Sequence, residues 1–167
     1  MSSLLVMVMG LPGVGKSYFA RTLARDMNAV HLNSDIVRKQ LLDTPGYSES
    51  EKSMIYHELF RLVREQLVRN NKVIVDATFS KSVHRKAYED LIRDLDGKLS
   101  IIRIIAPEAL VKDRLAKKRP DSDADYFVYQ KLKNEYDEIV VPHLVLDSGR
   151  QDITQMIALA KNYVTSN

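Results

Sequence analysis

The stretch Leu4-Leu5-Val6-Met7-Val8-Met9-Gly10-Leu11-Pro12-Gly13-Val14-Gly15-Lys16-Ser17 decides the fold. Its six apolar residues run unbroken where a half-exposed strand would alternate, which is the pattern of a parallel strand covered on both faces. Beyond Ser17, the residues Phe19, Ala20, Leu23, Ala24 and Met27 recur at helical spacing, so the glycine-rich segment joins a strand to a helix. The segment also matches Gly-x4-Gly-Lys-Ser at Gly10, Gly15, Lys16 and Ser17. Glycines there let the backbone reach φ > 0 and bring its N–H groups close enough to cradle phosphate oxygens. The helix start adds the positive end of its dipole. Lys16 can reach the β- and γ-phosphates and the Ser17 hydroxyl can ligate Mg²⁺. The whole loop, Gly10, Leu11, Pro12, Gly13, Val14, Gly15, Lys16 and Ser17, is therefore expected to hold the phosphates of a nucleoside triphosphate, ATP with Mg²⁺.

Outward from this loop, strands and helices alternate. Val30-His31-Leu32 reads as a second strand and the segment from Asn33 to Leu42 as a helix. Ser48, with Glu51 three residues on, opens a long amphipathic helix to about Asn70. Val73-Ile74-Val75-Asp76 is a third strand, and Val83, Ala87, Leu91 and Leu95 mark a helix. Leu99 to Ile105 is a fourth strand, and Pro107 suits the first turn of a helix through Lys118. A helix from Asp123 would carry Val128, Leu132, Tyr136 and Ile139, followed by a fifth strand at Leu144-Val145-Leu146 and a last helix with Ile153, Met156, Ile157 and Ala160. This alternation indicates an α/β fold with a parallel sheet, in one domain over residues 1–167.

Composition narrows the function classes. The absence of cysteine excludes disulfides and thiolate metal sites, and fits a cytoplasmic location. The run Leu4 to Met9 is too short for a membrane anchor and lacks the basic flank of a signal peptide. With a net charge of only +3, no large nucleic-acid footprint is demanded, and no obligate protein partner is evident. The four histidines, His31, His57, His84 and His143, show no metal-ligand spacing and read as core-edge or surface residues. Tyr126, Tyr129 and Tyr136 fit helix packing better than a base-stacking platform. Asp43-Thr44-Pro45-Gly46 and Asp94-Leu95-Asp96-Gly97 have the spacing of a GTPase switch, but neither follows a strand and no Asn-Lys-x-Asp reader is present.

Taken together, Gly-Leu-Pro-Gly-Val-Gly-Lys-Ser (10–17), Asn-Ser-Asp-Ile-Val-Arg (33–38), Val-Ile-Val-Asp-Ala-Thr-Phe (73–79) and Arg-Leu-Ala-Lys-Lys-Arg followed by Ser-Asp-Ala (114–124) form a series. The series resembles the small P-loop kinases of the AAA_33 type, relatives of the polynucleotide 5'-hydroxyl kinases, gluconate kinases and chloramphenicol phosphotransferase. The resemblance implies a three-layer, nucleoside monophosphate kinase-like fold. Its five parallel strands would run in the order 2-3-1-4-5, with a small helical lid at about 114–126. It also implies transfer of the γ-phosphoryl group of ATP to an acceptor.

Asp35 is expected at the carboxyl end of the second strand, where ligands sit in open α/β sheets, and Arg38 one turn further on. Asp35 could accept the proton of an acceptor hydroxyl, and Arg38 could hold an acceptor phosphate or ribose; a helix cap and a solvated face are the plain alternatives. Asp76 is the candidate to hold a Mg²⁺ water or orient Ser17. Nucleoside monophosphate kinases continue from this aspartate as Asp-Gly-Phe-Pro-Arg, whereas this chain has Asp76-Ala77-Thr78-Phe79-Ser80. That departure points to a hydroxyl acceptor, on a small molecule or a nucleic-acid 5' end, with Arg85 as an acceptor contact. Arg114 and Arg119 are the lid candidates for stabilising charge on the γ-phosphoryl oxygens. A nucleoside or nucleotide kinase and a non-catalytic ATP-binding regulatory module are the competing readings.

Overall fold

The computed structural model describes residues 2–44, 46, 48–117 and 125–167. Its sheet has five strands, β1 (Leu4–Met9), β2 (Val30–Asn33), β3 (Lys72–Ala77), β4 (Lys98–Ile105) and β5 (Leu144–Asp147). All pair in parallel, in the order β2-β3-β1-β4-β5 that the resemblance implied. The helices are α1 (Lys16–Met27), α2 (Ser34–Leu41), α3 (Glu49–Val68), α4 (Ser82–Asp94), α5 (Glu108–Ala116), α6 (Tyr126–Glu135) and α7 (Ile153–Ser166).

The unbroken apolar run of β1 is explained by two cores. Val6 and Val8 face one layer, packing with Phe19 and Leu23 of α1, Val111 of α5 and Met156 of α7. Leu5, Met7 and Met9 face the other, with Ile55, Leu59 and Val63 of α3 and Tyr88 of α4. Each such fully buried side chain contributes about 1.5–3 kcal/mol, so the alternating strand positions hold three layers together. Because every strand runs the same way, the carboxyl ends gather at one edge. There Gly10 follows Met9, and Asp76 lies in register with Asn33 on one side and Val8 on the other. Ligands bind outside this edge in open α/β sheets.

One expected element is shorter than its spacing suggested. The helix carrying Val128 and Leu132 ends at Glu135, and Tyr136 and Ile139 lie beyond it. Tertiary hydrogen bonds take over there: the Tyr136 hydroxyl donates to the Thr78 carbonyl at 2.6 Å, and the Asp137 N–H donates to the Ser80 carbonyl at 2.8 Å. These contacts pull the chain out of the helix against the β3–α4 connection, overriding a weak local preference. Helix α5 runs from Glu108 to Ala116, with Pro107 as its N-cap and Lys117 as its C-cap. The expected lid begins with Arg114 on α5 and reaches Tyr126 on α6, but its centre, Arg119 included, lies outside the described residues.

Candidate active site

Helix α1 begins at Lys16, with Gly15 as an N-cap at φ 94° that provides no side-chain hydrogen bond. The first N–H groups of a helix have no intrahelical partner, and here no acidic side chain occupies the first turn. The loop therefore presents amide donors and the dipole's positive end, the elements of an anion site. Lys16 is buried at the same point, and the Arg114 guanidinium reaches over the loop from α5, donating to the Gly13 carbonyl at 3.3 Å and to Ser148 Oγ at 2.9 Å. Ser148 Oγ in turn donates to the Val14 carbonyl at 2.6 Å, so the β5–α7 turn braces the loop from its outer side.

Behind the loop lies a polar cluster. The Ser17 hydroxyl donates to Asp76 Oδ1 at 2.9 Å, and Asn33 Nδ2 donates to both Ser17 Oγ at 2.9 Å and Asp76 Oδ1 at 2.8 Å. The other carboxylate oxygen of Asp76, which is fully buried, is in contact with His31 Nε2. Ser17 and Asp76 offer neighbouring hard oxygen donors, which suits Mg²⁺. Among the described residues no group of three or more His, Cys, Asp or Glu side chains is arranged to hold a metal ion. An ion at this pair would draw its other ligands from phosphate oxygens and water, as Mg²⁺ in nucleotide sites does. Donor set and ion fit.

On the other side of Lys16 a cavity of about 670 Å³, its open mouth included, separates the loop from α2, α3 and α4. Pro12 and Lys16 form its loop wall, and Asp35 and Arg38 line it from α2. Asp35 is not the cap of α2. The cap is Asn33, whose Oδ1 accepts from the Asp35 and Ile36 N–H groups at 2.8 and 3.0 Å. That leaves the Asp35 carboxylate to the cavity, where Arg38 Nη1 donates to its Oδ1 at 2.5 Å.

The far wall comes from Glu49, Lys52 and Tyr56 of α3 and from Thr78, Ser80, Lys81 and His84 around the start of α4, with Val128 and Leu132 of α6. The cavity is thus walled by α2, α3, α4 and α6 together with the loop. Tyr56 and His84 stack with ring centroids 4.1 Å apart. Burial pushes the Tyr56 hydroxyl up to about 12, against the Phe79 N–H that donates to it. Burial also holds the His84 imidazole below its usual value. Both rings therefore present neutral surfaces at pH 7.

Arg85 does not belong to this site. Its side chain is buried, and its guanidinium donates to the Asp137 carbonyl at 3.0 and 3.1 Å and to the Glu138 carbonyl at 2.9 Å. Three of its five donors go to two backbone carbonyls, which fixes the chain after α6, and Arg85 is absent from the cavity's lining, so the structure does not place it where the sequence expectation put an acceptor contact. Arg119 falls outside the described residues. Asn33 and His31 escaped sequence reading because their partners are remote in sequence; the one available signal was their i, i+2 spacing on β2, which places both on one face.

A family model described as an AAA domain, AAA_33, matches residues 5–139. An uncharacterised protein of Mycobacterium tuberculosis is 31% identical over 133 residues, covering 72% of this chain and 27% of that protein. The L-seryl-tRNA(Sec) kinase of Methanococcus maripaludis is 26% identical over 156 residues, covering 90% of this chain and 58% of the kinase. The chain thus spans between a quarter and three-fifths of the length of these curated relatives. Among solved structures, the APS kinase of Mycobacterium tuberculosis in complex with AMPPNP and APS superposes with a TM-score of 0.77 at 18% identity, covering 99% of each chain. At that identity the likeness shows the fold. With loop, sheet order and family model in agreement, the chain belongs to the AAA_33 family and has the fold of a small P-loop kinase.

Proposed function

We propose that the chain transfers the γ-phosphoryl group of ATP to a hydroxyl acceptor, on a small molecule or a nucleic-acid 5' end. The observation that carries this reading is one cavity lined by Lys16 on the donor side and by Asp35 and Arg38 on the acceptor side. In the transfer, the acceptor oxygen forms a bond to the γ-phosphorus, the bond from that phosphorus to the bridging oxygen breaks, and ADP leaves. The acceptor proton passes to the Asp35 carboxylate, which Arg38 holds facing the cavity. Lys16 and the loop amides gather negative charge on the phosphates, and Arg114 braces the loop from outside. Ser17 and Asp76 would hold Mg²⁺, which when bound neutralises charge on the β- and γ-oxygens.

The relative named as an L-seryl-tRNA(Sec) kinase puts a seryl-tRNA among the acceptors to screen, beside nucleosides, sugars, sugar acids and 5'-hydroxyl oligonucleotides. Purified protein is assayed for ADP release and for phosphate incorporation across that panel. Lys16→Ala and Asp35→Asn are each expected to abolish transfer while leaving thermal unfolding close to that of the parent. Near-normal turnover of Asp35→Asn on the true acceptor would refute the proton-acceptor assignment. ATP binding without ADP release on any acceptor would favour a non-catalytic module.

A further inference from the structure

We propose that Asn33 is a positioning residue that couples the two halves of the site, tying the helix that carries Asp35 to the Ser17–Asp76 pair. The inference rests on the phosphotransferase reading for its purpose and on one side chain for its geometry. Asn33 is 4% exposed, and every hydrogen-bonding position of its amide is used. The carbonyl oxygen accepts from the Asp35 and Ile36 N–H groups, and the amino group donates to Ser17 Oγ and Asp76 Oδ1. An asparagine amide has two donors and two lone pairs, so this set is complete.

The orientation of the amide follows from its partners. Turned over, it would set its oxygen against the Asp76 carboxylate and its N–H groups against two backbone N–H groups, both repulsive. Residue choice follows too. Ser, Thr and Asp cap helices as well as Asn does, but none of them can also donate two hydrogen bonds in the opposite direction. A cap alone would not require asparagine; a cap joined to the metal-side pair does. Asp76 stands opposite Asn33 in the β2–β3 register, so the link crosses between neighbouring strand ends and is short and stiff.

Loading of metal and nucleotide at Ser17 and Asp76 therefore fixes Asn33, and through the cap it fixes the first turn of α2, where Asp35 meets the acceptor. Removing a hydrogen-bond partner of a metal ligand typically costs about 10- to 100-fold in metal affinity.

The test uses the full chain with a fluorescent non-hydrolysable ATP analogue, titrated in Mg²⁺ and in EDTA, for the parent and for Asn33→Ser, Asn33→Thr and Asn33→Ala. Ser and Thr keep the cap and lose the amide bridge; Ala loses both. Asn33→Ser and Asn33→Thr are expected to stay folded with a melting temperature above that of Asn33→Ala, to keep the parent's affinity in EDTA within about twofold, and to lose at least about tenfold of the gain in affinity that Mg²⁺ confers. Backbone amide exchange adds a readout that a capping role alone would not move. In the parent, Mg²⁺ with the analogue slows exchange at Asp35 and Ile36, whereas in Asn33→Ser these amides no longer respond. Parent-like Mg²⁺ dependence in both capping variants, with only Asn33→Ala impaired, would overturn the proposal. Neither readout needs an acceptor, so a protein that shows this coupling and yet phosphorylates nothing would sink the phosphotransferase reading and leave the coupling standing.

Discussion

Alanine at Gly10 and at Gly15 should have different costs, and the difference can be worked from the structure. Gly10 sits at φ 154°, and a Cβ there would lie 2.5 Å from the Ile104 carbonyl oxygen and 3.0 Å from Val14 Cγ2. Ile104 belongs to β4 and pairs in register with Leu146 of β5, so its carbonyl cannot retreat without disturbing the sheet. Gly15 sits at φ 94°, but its nearest neighbours, Arg114 Nη1 and Ser148 Oγ, would both be 3.7 Å from an added Cβ. Gly15→Ala therefore carries backbone strain alone, about 2 kcal/mol at the middle of the usual range. Gly10→Ala adds overpacking against an immobile backbone atom, for a total of about 4 kcal/mol. For a chain of this size these correspond to losses of roughly 6 °C and roughly 12 °C in melting temperature. Far-UV circular dichroism of the nucleotide-free proteins measures both, with urea unfolding to check two-state behaviour. A Gly15→Ala protein that melts as low as Gly10→Ala, or a Gly10→Ala protein within about 1 °C of the parent, would refute the packing argument.

Three further outcomes follow from single residues. Arg85→Met should destabilise the fold by about 3 kcal/mol, because it strands two backbone carbonyls now served by a buried guanidinium, and it should leave the KM for any accepted hydroxyl compound unchanged. A selective rise in KM would restore Arg85 to the acceptor site. Burial holds the folded His84 imidazole below its unfolded value, so its contribution to stability is full above about pH 6.5 and falls as pH drops below that, where the unfolded chain takes up the proton first. His84→Gln should flatten this decline in urea midpoints measured between pH 7.5 and 5.5; an unchanged slope would count against the burial argument. Arg114→Ala removes charged hydrogen bonds to Gly13 and Ser148, and should weaken triphosphate binding by about tenfold or more. Fluorescent-nucleotide titration checks it, and parent-like affinity would show that the loop does not need this brace.

Local pattern carried the architecture. The unbroken run at Leu4–Met9 announced a strand covered on both faces, and helical spacing after Ser17 announced the helix that turns its amino end to the loop. The glycine loop, Lys16 and Ser17 were legible because a phosphate cradle is built from consecutive residues whose chemistry is visible at their own positions. Asp35 was legible as a side chain at a strand's end but ambiguous in role, since an aspartate before a helix serves equally as a cap. Only the tertiary structure gives the cap to Asn33 and leaves the Asp35 carboxylate to line the cavity. It also placed the Arg85 guanidinium on the backbone after α6, and it brought Lys52, Tyr56, Lys81 and His84 to the wall of the cavity that Asp35 lines. The physical reason is range. Periodicity and glycine spacing report forces that act within a few residues, whereas the partner of a buried arginine or asparagine is chosen by sheet order and strand register, which bring residues dozens of positions apart to the same edge.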